Sequence, residues 1–250
     1  MAFNERHNEI IKILNNLKTV TVQVLTERLQ VSEVTIRKDL SFLESQGKLL
    51  RTHGGAVLSE DRERIYSLRE KSLENIDTKE LIAKKARQFI RENDTIYIDS
   101  GSTCLLLAKE IKDMNLTVVT NSLDVMVDLS KYQQISLISV GGNLRYSAGS
   151  FIGPIAEMSM KNFQIETCFL GASGISKEGV FSSQNLIESQ LKIAVIKASG
   201  RKIILADRSK YGVQTFSIFA KPGDIDILIT DKDFPDLDNL RSQGIEIILS

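Results

Sequence analysis

Apolar positions in the first fifty residues recur at helical spacing. Ile10, Ile13, Leu14 and Leu17 fall on one face of a helix that Asn4 is placed to cap. A second helix is expected to open near Thr21 and to carry Val22, Leu25 and Leu29. Gln30 and Val31 make a short turn. Ser32 then caps a third helix whose inward stripe is Ile36, Leu40 and Leu43, and Gly47 sits where that helix ends. KLLRTHGGAV, residues 48–57, reads as a strand, a Gly-Gly turn and a returning strand. Helix, short turn, capped helix and wing make up the winged helix-turn-helix plan.

The pattern changes after residue 57. Residues 58–78 are charged and hold few large apolar side chains, as in a linker or a solvated helix. From residue 79, helical patterns (KELIAKKARQFI, CLLLAKEI, LDVMVDLS) alternate with the short apolar runs TIYID, LTVVT, ISLISV, ETCFLGA, KIILA and DILIT. Such runs between amphipathic helices predict a mostly parallel sheet covered on both faces. The expected fold class is therefore α/β: an N-terminal winged helix-turn-helix over 1–57, a charged linker over 58–78 and a larger Rossmann-like domain over 79–250.

Ligands of such sheets bind at the carboxyl ends of the strands. The residues expected there are Asp99, Ser100, Gly101, Ser102 and Thr103; Thr120, Asn121 and Ser122; Gly141 and Gly142; Gly171 onward to Gly174; and Asp207 onward to Lys210. Hydroxyls and backbone N–H groups at helix starts suit a phosphate, and Asp and Asn suit sugar hydroxyls. Tight turns between strand and helix favour Ser and Gly in any case, so one such loop says little. Five at corresponding strand ends point to a phosphorylated polyol. No complete G-x-G-x-x-G or Walker motif is present, which argues against a nucleotide.

Charge sharpens the reading of the third helix. The 250 residues carry 32 Lys+Arg and 32 Asp+Glu, a net charge of +0, so any anion-binding surface must be local. Residues 1–57 hold eight basic and six acidic side chains, a modest excess. Arrangement matters more. With Ile36, Leu40 and Leu43 inward, Val34 and Lys38 point away from the core and Thr35 and Arg37 flank them. All lie in the first turns of the helix, the part that reaches base edges in a major groove. Ser32 sits at the helix start, where N–H groups favour phosphate, and the wing adds Lys48, Arg51 and His53. Two adjacent basic residues alone would be a solvated helix face; the preceding helix, the turn and the wing reverse that balance.

The remaining composition excludes rather than selects. Cys104 and Cys168 lie in apolar contexts, as small buried hydrophobes do. His7 and His53 are far apart and no Cys/His cluster has zinc spacing, so no metal is expected. No apolar run reaches the length of a membrane helix and the N-terminus lacks a signal-peptide core, so the expected location is cytoplasmic.

The segment VSEVTIRKDLSFLESQGKLLRTHGGAV resembles the DNA-binding segment of the DeoR family of bacterial sugar-metabolism regulators. It matches at Val31, Ser32, Thr35, Ile36, Arg37, Asp39, Leu40, Leu43, Glu44, Gly47, Arg51 and His53 through Ala56. It departs at Lys38, where the family usually has Arg; the charge is kept and the bidentate fork is lost. The second half is similar to the family's sensor domain at Asp99 through Thr103, Thr120 through Ser122, Gly141 and Gly142, Phe169 through Gly174, Glu188 with Lys192, and Ala206 through Lys210, with Arg69 and Lys79 fitting ahead of it. Glu166 and Arg208 depart from the pattern; Arg208 is either simply exposed or an added phosphate ligand.

The resemblance implies a second domain similar in fold to ribose-5-phosphate isomerase. It implies a DNA-binding transcriptional regulator rather than an enzyme: a repressor of a sugar catabolism or transport operon, released from its double-stranded DNA operator by a phosphorylated sugar. It implies a homodimer or homotetramer and no cofactor. Gly171, Lys192, Asp207 and Lys210 join the strand-end residues as effector contacts. Asp99 is expected on a sugar hydroxyl, which leaves Ser100 through Thr103 for the phosphate. The rival reading is a sugar-phosphate isomerase with an appended DNA-binding domain, using Glu188, Lys192, Asp207 and Lys210 as acid–base groups.

Overall fold

Helices form at the N-terminus where apolar stripes and capping side chains coincide. The computed structural model describes residues 3–17, 19–46, 48–52, 54–57 and 74–250, and the chain divides into two units, Met1–Ser67 and Leu68–Ser250. In the first, α1 (Phe3–Leu17), α2 (Val22–Leu29) and α3 (Glu33–Ser45) bury Ile10, Leu14, Leu25, Ile36, Leu40 and Leu43 in one core. Leu17, expected on the inner face, is exposed at the end of α1. The helix already begins at Phe3, so Asn4 lies within its first turn rather than ahead of it. Thr21 caps α2 by accepting the Val24 N–H, and Gln30 ends that helix in the left-handed conformation, φ 54°. Ser32 opens α3 by accepting the Thr35 N–H.

The wing has three antiparallel strands: β1 (Thr19–Thr21), β2 (Leu50–Thr52) and β3 (Gly55–Val57), with β3 in the middle. The sequence reading has only the last two, because a three-residue strand shows no periodicity. Gly55 permits the close approach: a Cβ there would stand 2.0 Å from the Val20 carbonyl oxygen. Gly47, His53 and Arg69 lie outside the described residues.

The second unit is built on a seven-stranded, wholly parallel sheet. Its strands are β4 (Thr95–Ile98), β5 (Leu116–Thr120), β6 (Ile135–Ser139), β9 (Ile165–Gly171), β12 (Ser199–Leu205), β14 (Ile227–Thr230) and β15 (Glu246–Leu249), in the order β15-β14-β12-β9-β4-β5-β6. Successive strand side chains point to opposite faces. Ile96, Ile98, Phe169 and Ile203 thus pack under α4 (Ile76–Arg87), α5 (Ser102–Glu110) and α6 (Leu123–Leu129). Tyr97, Cys168, Leu170 and Ile204 pack under α7 (Pro154–Met160) and α8 (Leu186–Ala198). Both faces being covered explains why these strands read as continuous apolar runs. α4 opens at Ile76, inside the stretch expected to be linker.

The chain lays β5 and β6 on one side of β4, then crosses to β9 on the other. The carboxyl ends of β4 and β9 are therefore the topological switch point, where such sheets leave a crevice. Among the elements not expected are β15, a hairpin of β7 (Asn143–Arg145) with β8 (Ser150–Ile152), and a small antiparallel sheet of β10 (Gly174–Ile175), β11 (Phe181–Ser183) and β13 (Ser217–Ala220). Gly141 and Gly142, at φ 69° and 103°, turn the chain into the hairpin. Among the described residues no helix is long and apolar enough to cross a membrane.

Candidate functional site

Helix α3 presents one buried and one open face. Ser32, Val34, Arg37 and Lys38 are exposed and Thr35 is half-buried, while Ile36, Asp39, Leu40 and Leu43 are buried. Arg37 Nη2 donates to Glu33 Oε2 at 3.4 Å; both side chains are about half exposed, so the pair is weak and the guanidinium is readily redirected. Arg51 donates from Nη1 to Ser41 Oγ at 2.6 Å and from its backbone N–H to Glu44 Oε1 at 2.9 Å, which seats the wing on α3. Lys48 is half-buried.

Beneath this surface lies a charged joint to which the sequence reading assigned no role. Asp39, 1% exposed, accepts from Arg6 Nε at 2.5 Å and Nη2 at 3.0 Å, and its Oδ1 lies 3.0 Å from His7 Nε2. His7 in turn stacks on Phe42 with ring centroids 5.0 Å apart. Burial pushes the Asp39 carboxyl up, but hydrogen bonds from Arg6 and His7 outweigh it and hold the group below the usual carboxylate range. The joint ties α1 to the underside of α3.

In the second unit a cavity of about 230 Å³ opens at the switch point. It is lined by Ser100, Gly101, Ser102 and Thr103 after β4, Gly171 at the end of β9, and Lys192, Asp207 and Lys210, all named from sequence. Gly101, at φ 126°, precedes α5 with no side-chain cap, so no capping side-chain oxygen engages the first N–H groups of that helix, whose residues Ser102 and Thr103 line the cavity. Asp207 accepts the Ser209 N–H at 2.9 Å, and Asn75 Nδ2 lies 3.4 Å from its Oδ1.

Lys79, Arg145 and Glu188 complete the charged lining. From sequence, Lys79 stands only as a family match, and Glu188 as a family match with Lys192 and as an acid–base group of the rival enzyme; neither is among the expected effector contacts. Glu188 stands one helical turn before Lys192, a spacing that puts both on one face of α8 and was a usable signal. Arg145 had none: it arrives on a hairpin placed by tertiary packing.

Several expected contacts stand elsewhere. Asp99 is 1% exposed and lies behind the cavity wall rather than on it. Its Oδ2 is ion-paired with Lys192 and accepts the Gly171 N–H at 3.1 Å, and Lys192 also donates to the Gly171 carbonyl at 2.9 Å. The carboxylate expected on a sugar hydroxyl is thus occupied by a lysine; only Oδ1, itself buried, has no hydrogen-bond partner among the described residues. Burial pulls the Lys192 ammonium down, yet Asp99 and Glu188 more than offset this, and its pKa is raised.

Thr120, Asn121 and Ser122 are buried and do not line the cavity. Thr120 Oγ1 donates to the Ile98 carbonyl at 2.6 Å, and Ser122 Oγ accepts the Val125 N–H to cap α6. The β7–β8 hairpin covers this loop: Phe151 N–H donates to the Asn121 carbonyl at 2.7 Å and Leu123 N–H to that of Gly149 at 2.8 Å. Gly141 and Gly142 serve the turn and are also outside the lining. Arg208 is exposed and donates to Asp233 at 2.6 Å, so it is not part of the cavity. Glu166, near the amino end of β9, accepts the Thr95 N–H at 2.5 Å, at the opposite end of the sheet.

Comparison with known proteins gives a consistent picture. Residues 6–62 match the family described as the DeoR-like helix-turn-helix domain, and residues 74–232 match the DeoR C terminal sensor domain. The HTH-type transcriptional regulator GolR of Listeria innocua is 36% identical, over 91% of this chain and 90% of its own. The putative aga operon transcriptional repressor of Escherichia coli O157:H7 is 33% identical, over 98% and 93%. The L-fucose operon activator of Escherichia coli K12 is 34% identical, over 82% and 86%. Among solved structures, ribose 5-phosphate isomerase A of Methanocaldococcus jannaschii aligns with a TM-score of 0.41 and 19% identity over 55% of each chain.

Proposed function

Because this chain belongs to the DeoR family of transcriptional regulators, we propose that it represses a sugar catabolism or transport operon and leaves its operator when a phosphorylated sugar fills the sensor cavity. Residues 1–57 bind double-stranded DNA and residues 79–250, with the start of α4, sense the effector. Ser32, Thr35, Arg37 and Lys38 on α3 enter the major groove, with Lys48, Arg51 and His53 on the flanking backbone. A palindromic operator calls for a homodimer or homotetramer.

One observation carries the effector reading. The cavity at the switch point is lined by the open N-terminus of α5 together with Lys79 and Lys210, a combination suited to a phosphate. Ser100, Ser102 and Thr103 add hydroxyls, and Asp207 suits a sugar hydroxyl. Asp99 and Lys192 act as the rigid floor: each is engaged with the other and with Gly171. Release follows if the sugar phosphate binds one arrangement of the assembly better than the other.

The test is a thermal-shift screen of the full chain against pentose and hexose phosphates, followed by operator titrations with each stabilising compound. A ligand at a hundred times its Kd stabilises the sensor by about 2.7 kcal/mol, and the same compound should weaken operator binding. A panel in which no sugar phosphate moves the midpoint overturns the effector assignment.

A further inference from the structure

The cavity has two walls of different charge, and this bears on which sugar phosphates it admits; the inference rests on the effector reading above. One wall lies on the sheet face covered by α4 and α5. It carries Lys79 and the open helix start at Gly101, Ser102 and Thr103. The other lies on the face covered by α8, with the β7–β8 hairpin at its edge. There Arg145 Nη1 donates to Glu188 Oε2 at 2.6 Å, Glu188 Oε1 stands 3.8 Å from Lys192 Nζ, and Lys192 is paired with Asp99. Arg145, Glu188 and Lys192 line this wall and Asp99 lies behind it; the four charges alternate in sign and cancel.

Glu188 is held between two cations, and Lys192 between two carboxylates. The Glu188 side chain is 12% exposed and that of Arg145 24%, so water screens the pair little. Arg145 has already turned toward a carboxylate one of the charge-assisted donors it would otherwise offer a phosphate, and its charge is offset there.

We infer that Glu188 is a charge filter: by occupying Arg145 it restricts the cavity to ligands with a single phosphate and an uncharged polyhydroxy remainder. A second phosphate or a carboxylate on the ligand must either face Glu188 directly or displace it from Arg145, breaking a mostly buried ion pair. A hydroxyl does neither, since it can donate to Glu188 and accept from Arg145 while the pair stays intact. Discrimination here comes from a repulsive element as much as from an attractive one.

The experiment is calorimetric titration of the full chain with matched sugar monophosphates and bisphosphates, using inorganic phosphate as a further probe. Wild-type protein should prefer the monophosphate by at least about tenfold, a conservative value for a like-charge contact at a binding surface. In Glu188→Gln the bisphosphate should gain at least about tenfold relative to the monophosphate, and adding Arg145→Ala should abolish that gain. A bisphosphate that binds wild-type protein as tightly as its monophosphate overturns the filter while leaving the effector reading intact; this comparison needs no variant. Failure of every monophosphate to bind wild type overturns the effector reading itself. Unliganded melting curves check that Glu188→Gln is folded, and a folded variant with an unchanged ratio of the two affinities also overturns the filter.

Discussion

Replacing Asp99 by Ala should destabilise the sensor unit far more than the loss of one surface contact. Asp99 and Lys192 are 1% and 3% exposed, so the variant strands an ammonium in the protein interior with Glu188, 3.8 Å away, as the nearest remaining countercharge among the described residues. Removing one partner of a buried pair costs about 3–5 kcal/mol. The double variant Asp99→Ala/Lys192→Met removes both charges and should recover most of that loss. The pH dependence separates the cause from simple loss of packing. In the wild type the Lys192 pKa is raised, so its contribution is present below the unfolded value of about 10.4 and is lost as pH rises through the higher folded value. In Asp99→Ala the raising influence of Asp99 is lost while burial, the largest single influence and a lowering one, remains, so the folded pKa should drop below the unfolded one. The variant's deficit is then full at neutral pH and shrinks as pH rises toward about 10. Urea titration read by hydrogen exchange of β4 and β9 amides reports this unit by itself, which matters because the chain holds two units. A single variant within about 1 kcal/mol of wild type, or a double variant no more stable than the single, refutes the reasoning.

Three further outcomes follow from the same geometry. Arg37→Ala should weaken operator binding by about 1–3 kcal/mol while leaving the melting point nearly unchanged, because its ion pair with Glu33 is exposed and weak; unchanged affinity in a salt-matched titration would remove Arg37 from the interface. Asp39 has a lowered carboxyl pKa, so its stabilisation of the N-terminal unit is present above the unfolded value of about 3.9 and lost as pH falls through the folded value; acid titrations of α1 and α3 amide exchange should show this loss in wild type and not in Asp39→Asn. Gly142→Ala should cost more than about 1 kcal/mol, since φ is 103° and the new Cβ would stand 2.6 Å from the Ile152 carbonyl oxygen; calorimetry of the variant checks it.

Local chemistry decided a large share of this protein. The stripe Ile36, Leu40 and Leu43, opened by Ser32, specifies α3, because a helix that buries one face needs apolar residues at that spacing and a cap for its free N–H groups. The runs TIYID and LTVVT specify strands covered on both sides, because alternate residues must be apolar toward two helix layers. Small residues after β4 and β9 mark the cavity because helix starts and close backbone approach exclude bulk there. The family and the two-part plan were legible from these same residues.

What the tertiary structure alone decided is which charges meet. Asp99 looked like a ligand contact, but Lys192, distant in sequence, reaches it across the sheet end and pairs with it. Thr120, Asn121 and Ser122 look like a third binding loop, yet the β7–β8 hairpin folds over them, and the same hairpin brings Arg145 to Glu188. Arg6 and His7 find Asp39 only once α1 crosses α3. Helical and strand periods report which face a residue occupies relative to its own element. They carry no information about the partner that a distant segment delivers to that face, and an ion pair depends on the distance between two such segments.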